Sequence, residues 1–251
     1  MIGARCLLAA AVIAAPVPPA FAATYGDTLI AQTERRHPAL VSVAIDAIGK
    51  NGAIHLERGK PAAIFVGEPL TDATGNKIGS ARFTFRHASG VSSALAIAVE
   101  MGRRIYVADN LSEPDPFVAG TPHAPFAQGL VDRMIDANPD LVTLAMHVTP
   151  AGRPTNIIIA SNFGRIGKEG DKDDMHVIND RVVLKEVTDS GHRLAVSLPM
   201  LDRSGAVIGA LSTSFMMAQG KDTAEVEKRA VAVRDALAAE IPSRAVLAAP
   251  K

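Results

Sequence analysis

Two pairs of stretches in this chain are versions of one another, and that duplication constrains the fold more than any single motif. "RRHPALVSVAIDA" (35–47) aligns with "DANPDLVTLAMHV" (136–148) at an offset of 101 residues, with Pro38 on Pro139, Leu40 on Leu141, Val41 on Val142 and Ala44 on Ala145. Upstream, Tyr25, Leu29 and Ile30 fall opposite Phe126, Leu130 and Val131, spaced as on one helix face. "EPLTDATGNKIGSARFTF" (68–85) aligns with "LPMLDRSGAVIGALSTSF" (198–215) at an offset of 130. The offset grows by 130 − 101 = 29 residues, so the second copy carries an insertion between its strands. That insertion contains "ASNFGRIGKEGDKDDMHVI" (160–178), which is charged and punctuated by glycine.

Each copy carries the same local signals. A helical pattern stops before a proline, because the residue ahead of proline is pushed out of the α region. Strand-like runs follow, "LVSVAIDA" and "AIHLERG" in the first copy, "LVTLAMHV" and "TNIIIAS" in the second. An apolar run, an Asp, a Gly-containing turn and a second apolar run then predict a hairpin in each. Closing helices are expected over "SALAIAVEMGRRIYVADNL" and "DTAEVEKRAVAVRDALAAEI". The pattern predicts an α+β protein of two tandem PAS-like modules, each an antiparallel sheet with flanking helices. Their expected spans are 23–111 and 126–242, with a linker at 112–125 and a flexible tail at 243–251; one domain with a fused sheet is the alternative.

Residues 1–22 read as a segment outside the fold. Arg5 precedes the apolar "LLAAAVIAA", and "PVPPAFA" ends in Ala20-Phe21-Ala22, the small-x-small pattern of a signal-peptidase site. A cleavable signal peptide, cut after Ala22, places the expected mature protein in the periplasm or outside the cell. Pro16, Pro18 and Pro19 interrupt the apolar stretch, which is too short to span a bilayer. Cys6, the one cysteine, lies in that segment, so an exported product would be held by its core without disulfides. Removing Arg5 leaves 25 basic side chains facing 26 acidic ones, a balance that supports neither nucleic acid nor an anionic membrane surface as partner. No second apolar run approaches ~20 residues, so no membrane insertion is expected after signal removal. Trp is absent and Tyr is confined to Tyr25 and Tyr106, too little aromatic surface for a carbohydrate platform or a quaternary-ammonium cage.

"NPDLVTLAMHV…NIIIASNFGRIGKEGDKDD…HRLAVSLPMLDRSGAVIGALSTSF" resembles the periplasmic double-Cache (PDC) sensor domains. In that family a strand ending in Ala-Ser leads to an Ile-Gly-Lys turn over the pocket, and a Pro-x-x-Asp-x-x-Gly-x-x-Ile-Gly hairpin closes the sheet. The resemblance is good over 125–215 and partial over 25–85, where the insert is missing. It implies a non-catalytic sensor for small organic ligands of the carboxylate, amino-acid or amine class. No kinase, cyclase or methyl-accepting module and no membrane-spanning helix follows the second copy in this sequence. The expected reader of ligand status is therefore a separate membrane receptor.

The insert supplies the candidate site. Gly164, Gly167 and Gly170 permit tight backbone paths, and Arg165 and Lys168 lie close enough to converge on one carboxylate. Ser161 or Asn162 can cap a following turn. His147 within an apolar strand, and His192 beside Arg193 at the start of another, join the candidate ligand-binding set if they face a pocket. The plain alternative makes the insert a solvated connection and the histidines rim residues bonded to backbone. Glu169, Asp171, Asp173 and Asp174 suggest calcium, but counting from Asp171 puts His176 at position six and Val182 at position twelve, which fails the EF-hand pattern. The histidines show no zinc spacing, and no haem-attachment, nucleotide or Gly-x-Ser-x-Gly motif occurs, so neither metal nor cofactor is expected. The expectation is a non-enzymatic binding protein for a small polar or anionic metabolite, its charge buried against Arg165 and Lys168. A scaffold without a metabolite ligand is the second reading, and a hydrolase with an unrecognised site the third.

Overall fold

Pro38 and Pro139 stop two helices at the same point of the repeat. The structure, a computed structural model, describes residues 23–60, 64–188, 192–217 and 223–250, and the expected signal segment lies outside them. Helix α1 (Tyr25–Arg36) and helix α3 (Pro125–Ala137) each end two residues before that proline, with His37 and Asn138 as the caps between. The chain then turns at once into a strand: Leu40 N donates to His37 O at 2.9 Å, and Leu141 N to Asn138 O at 3.1 Å. In the first half β1 (Leu40–Gly49), β2 (Gly52–Gly59), β3 (Phe65–Thr71) and β4 (Lys77–Phe85) form an antiparallel sheet of order β2-β1-β4-β3. In the second, β5 (Leu141–Val148), β6 (Ile157–Ser161), β7 (Leu184–Thr188), β8 (Arg193–Leu201) and β9 (Val207–Met216) form a sheet of order β6-β5-β9-β8-β7. Two antiparallel sheets with flanking helices make the α+β, tandem PAS-like architecture expected from the repeat. No helix of the described residues is long and apolar enough to cross a membrane.

The two hairpins repeat one another bond for bond. Asp72 Oδ1 accepts from Thr74 N at 2.9 Å, Thr74 Oγ1 at 2.6 Å and Asn76 N at 3.0 Å. Asp202 Oδ1 accepts from Ser204 N at 2.9 Å, Ser204 Oγ at 2.6 Å and Ala206 N at 3.2 Å. Gly75 and Gly205 take the positive φ each turn needs, at 88° and 81°. The next repeat glycine serves close approach: a Cβ on Gly79 would lie 1.9 Å from Asp46 O, and one on Gly209 2.0 Å from His147 O. A side chain at either position would push the central pair of strands apart.

Helix α2 (Ala94–Gly102) is shorter than the closing helix expected to reach residue 111. Gly102 packs against the end of β3, where a Cβ would stand 2.5 Å from Thr71 O, and the chain then leaves the helix for the other half. Arg103 donates to Ile135 O and, at 2.7 Å, to Asn138 O at the end of α3. Arg104, 3% exposed, bonds Asp136 at 2.7 Å. From α1, Arg36 bridges Glu100 on α2 at 2.8 Å and Asp132 on α3 at 2.7 Å. Residues 112–125, expected as a linker, are instead bonded into both halves: Asp115 N donates to Ala23 O at 2.9 Å and Val118 N to Ile166 O at 3.2 Å. The expected flexible tail contains helix α6 (Arg244–Leu247), whose Leu247 is fully buried in the second core.

In the second sheet the faces divide by strand period. Leu144, Met146, Leu194, Val196, Leu198, Leu211 and Phe215 join a core with α3 and with helix α5 (Thr223–Glu240). The alternate residues, Thr143, Ala145, Ala195, Ser197, Ser212 and Ser214, are short and mostly hydroxylated, and they face the other way. Gly79→Ala and Gly209→Ala should each lower stability by about 1–3 kcal/mol, because the added methyl meets backbone. Gly129→Ala, on a helix where the nearest atom is a flexible arginine nitrogen at 3.7 Å, should be neutral or gain up to about 1 kcal/mol. Urea unfolding of the three variants checks the contrast.

Candidate ligand cavity

Short side chains on one face of a sheet leave space above them, and here the insert roofs that space. Helix α4 (Lys172–Asp180) was not anticipated in the insert, although its N-terminus is fully encoded. Asp171 Oδ1 accepts from Asp173 N at 2.9 Å and Asp174 N at 3.1 Å, and Asp174 Oδ2 accepts from Asp171 N at 3.0 Å. This is a capping box with two aspartates. Weighing the same residues as calcium ligands hid it, and among the described residues no cluster is able to hold a metal ion. Asp174 then turns inward, 8% exposed, to accept from Ser212 Oγ at 3.2 Å, which ties the roof to β9.

The cavity between roof and sheet has a volume of about 390 Å³. Its floor is Thr143, Ala145, Ala195, Ser197, Ser212 and Ser214, and its walls include Ile158 and Phe163. Four of the expected residues meet in it: His147, Arg165, Lys168 and Arg193. Tyr106 also lines it, contributed by the first half after α2 ends early. The cavity is therefore shared between the two modules.

The remaining three expected residues do not reach it. Asn162 is 2% exposed and structural: its Oδ1 accepts from Leu144 N at 2.8 Å, while its Nδ2 donates to Val142 O and Arg103 O, both at 2.9 Å. Ser161 Oγ donates to Gly164 O and accepts from Phe163 N at 3.3 Å, which folds the start of the insert. His192 is exposed at the start of β8 and does not line the cavity. The side chains of Ser161 and Asn162 serve the backbone at the sheet's margin, as cap-forming residues do beside a turn.

The cations in the cavity differ in how much charge remains unspent. Arg165, at φ 64°, turns back to Glu113, with Nε 3.0 Å from Oε2 and Nη2 2.9 Å from Oε1. Arg193 donates Nε to Thr188 Oγ1 at 3.0 Å and holds its guanidinium 5.0 Å from the Tyr106 ring centre. Neither Arg193 nor the exposed Lys168 has a carboxylate partner among the described residues. The strongest anchor for a ligand acceptor is thus Arg193, half-buried and oriented by an aromatic face.

His147, 6% exposed, has Nδ1 3.2 Å from Asp174 Oδ2, at an angle that leaves Nδ1 without a hydrogen bond. Burial lowers its pKa from the usual 6.5 more than the nearby Asp174 and Asp171 raise it, and Lys168 pushes the same way as burial. Asp174 lies between Ser212 and His147, accepting from Ser212 Oγ through Oδ1 and facing His147 Nδ1 with Oδ2.

Tyr106, Glu186 and the hydroxyl floor were missed. The floor was visible as a period-two run of small residues in "RLAVS" and "LSTSF"; Tyr106 carried no local signal, because an expected helix ran through it.

No family model matches the chain, and no curated protein matches it. Among solved structures it is similar to the C-terminal domain of the E. coli transcriptional regulator KdgR, at 16% identity and a TM-score of 0.30, covering 50% of this chain and 98% of that one. It is also similar to PelD 158-CT from Pseudomonas aeruginosa PAO1, at 11% identity and a TM-score of 0.25, covering 82% and 73%. At these scores neither likeness carries an argument. Fold and cavity together define an α+β protein of two PAS-like modules, with a roofed polar cavity against the second sheet.

Two outcomes test the site. Because a neutral buried imidazole must gain a proton on unfolding in acid, His147 contributes stability that is present above pH 6.5 and lost as pH falls through its lower folded value. Unfolding measured across that window should flatten in His147→Gln, and the wild-type imidazole should titrate below 6.5 by NMR. Arg165→Ala should lower the stability of the unliganded protein by about 1 kcal/mol through loss of the partly exposed Glu113 pair, as read by denaturant midpoint.

Proposed function

We propose that the chain is an exported, non-catalytic binding protein that takes a small polar metabolite into the cavity of its second module. The observation that carries this reading is the cavity itself. A buried sheet face ordinarily carries large apolar side chains, and this one carries alanines and hydroxyls beneath a capped helix and a glycine-rich loop. Its volume suits a small metabolite, and its convergent polar groups are those that fix orientation in ligand pockets. The first module contributes a wall residue, Tyr106, and the segment joining the modules contributes Glu113, the anchor for Arg165; on the corresponding face of the first sheet Asp46 and Arg82 are exposed and Phe65 is 61% exposed.

The ligand classes are those the double-Cache resemblance implies: carboxylates, amino acids and amines. Export rests on the leader-like residues 1–22, and a separate membrane receptor would read the ligand-bound state. Because Glu113 and Tyr106 join the cavity to the interface between modules, occupancy has a physical route to the exterior.

A thermal-shift panel of the three classes tests the reading. A ligand present at 100 times its Kd should stabilise the protein by about 2.7 kcal/mol. Ser212→Leu, which fills the floor, should abolish that shift while leaving a cooperative unfolding transition. Absence of any hit, or a hit that survives Ser212→Leu undiminished, contradicts the proposal.

A further inference from the structure

The charges lining the cavity are unevenly placed. Arg193 and Glu186 stand at the end where β7 meets β8, and Arg165 beside them is neutralised by Glu113. At the other end, Glu169, Asp171, Asp173 and Asp174 face Lys168 and His147, so four carboxylates meet one ammonium group. Part of that acidity caps the roof helix, since Asp171 and Asp174 accept from its first N–H groups. The carboxylates of Glu169 and Asp173 take no part in the cap and have no ion-pair partner among the described residues. His147, more than nine-tenths buried and lining the same end, keeps Nδ1 without a hydrogen-bond partner.

From this arrangement we infer that the occupant carries a cationic nitrogen and seats it at the α4 end of the cavity, against Asp173 and Asp174 beside His147. An anion at that end would meet a net negative field and lose its hydration with Lys168 alone set against four carboxylates. An ammonium or amidinium group there is attracted on entry by the exposed Glu169 and Asp173, and its N–H donors meet acceptors. The two ends are far apart. Arg193 and Ser197, the residue paired with Ser212, are four positions apart on β8, about 13 Å at the usual rise per residue. An acceptor group at the far end of an elongated molecule therefore reaches Arg193 while the nitrogen rests at α4.

This inference rests on the cavity reading above and narrows the ligand class. The test compares 1,4-diaminobutane with succinate, which share a four-carbon length and differ in sign, by NMR titration and thermal shift at fixed ionic strength. Diaminobutane should move the His147 and Tyr106 resonances and raise the melting temperature, and succinate should do neither. The exposed pair Glu169→Gln and Asp173→Asn, combined, should weaken diaminobutane binding about fivefold, an effect of about 1 kcal/mol. Succinate binding at these resonances with diaminobutane silent overturns the inference and leaves the cavity reading standing. So does unchanged diaminobutane affinity in the double variant, or a wider panel whose hits all lack a basic nitrogen. Silence across the whole panel removes the cavity reading as well.

Discussion

The amide of Asn162 is the constraint on which the arrangement of the two modules depends. Its side chain uses Oδ1 and both Nδ2 hydrogens, on Leu144 N, Val142 O and Arg103 O. Its own carbonyl lies 2.9 Å from the Tyr25 hydroxyl, whose single hydrogen is shared between it and Arg104 O at 2.7 Å. Burial pushes the Tyr25 phenol far above its ordinary pKa, so it stays a neutral donor. One residue thus fixes the start of the insert, the entry of β5 and the chain leaving α2. A buried amide or carbonyl left without its partner costs about 1–3 kcal/mol, which keeps this node intact.

From that node the cavity follows. Fixing the start of the insert places Arg165 where it meets Glu113, and fixing the chain after α2 places Tyr106 over the floor. The capping box of α4 then sets Asp174 on Ser212 and closes the other end. The roof is held at both ends by polar contacts to different elements, while the space beneath comes from short side chains alone.

Much of the fold was legible because the repeat displays it twice. Pro38 and Pro139, Asp72 and Asp202, and Gly79 and Gly209 each mark the same backbone event, and each event occurs where the alignment puts it. The site was legible only in part. His147, Arg165, Lys168 and Arg193 share the cavity because two lie on strand faces of known period and two on the insert. Ser161 and Asn162 stood both as turn caps and in the ligand set, and they serve backbone, because a polar side chain beside a turn looks the same in sequence whichever it serves. Tyr106 and Glu113 depend on α2 stopping at Gly102, which a tertiary contact with Thr71 accompanies and no local pattern announces. The helix in the insert was hidden by reading its capping aspartates as possible ion ligands, and the tail by its small size.

The absence of Trp makes the central claim directly measurable, since the chain has two tyrosines and only Tyr106 lines the cavity. With ring-labelled tyrosine, NMR of the protein titrated with whichever metabolite stabilises it reads the two positions separately. The account predicts that the Tyr106 signals shift in step with binding while those of Tyr25, locked between the modules, stay in place. A stabilising ligand that leaves Tyr106 unmoved would contradict it.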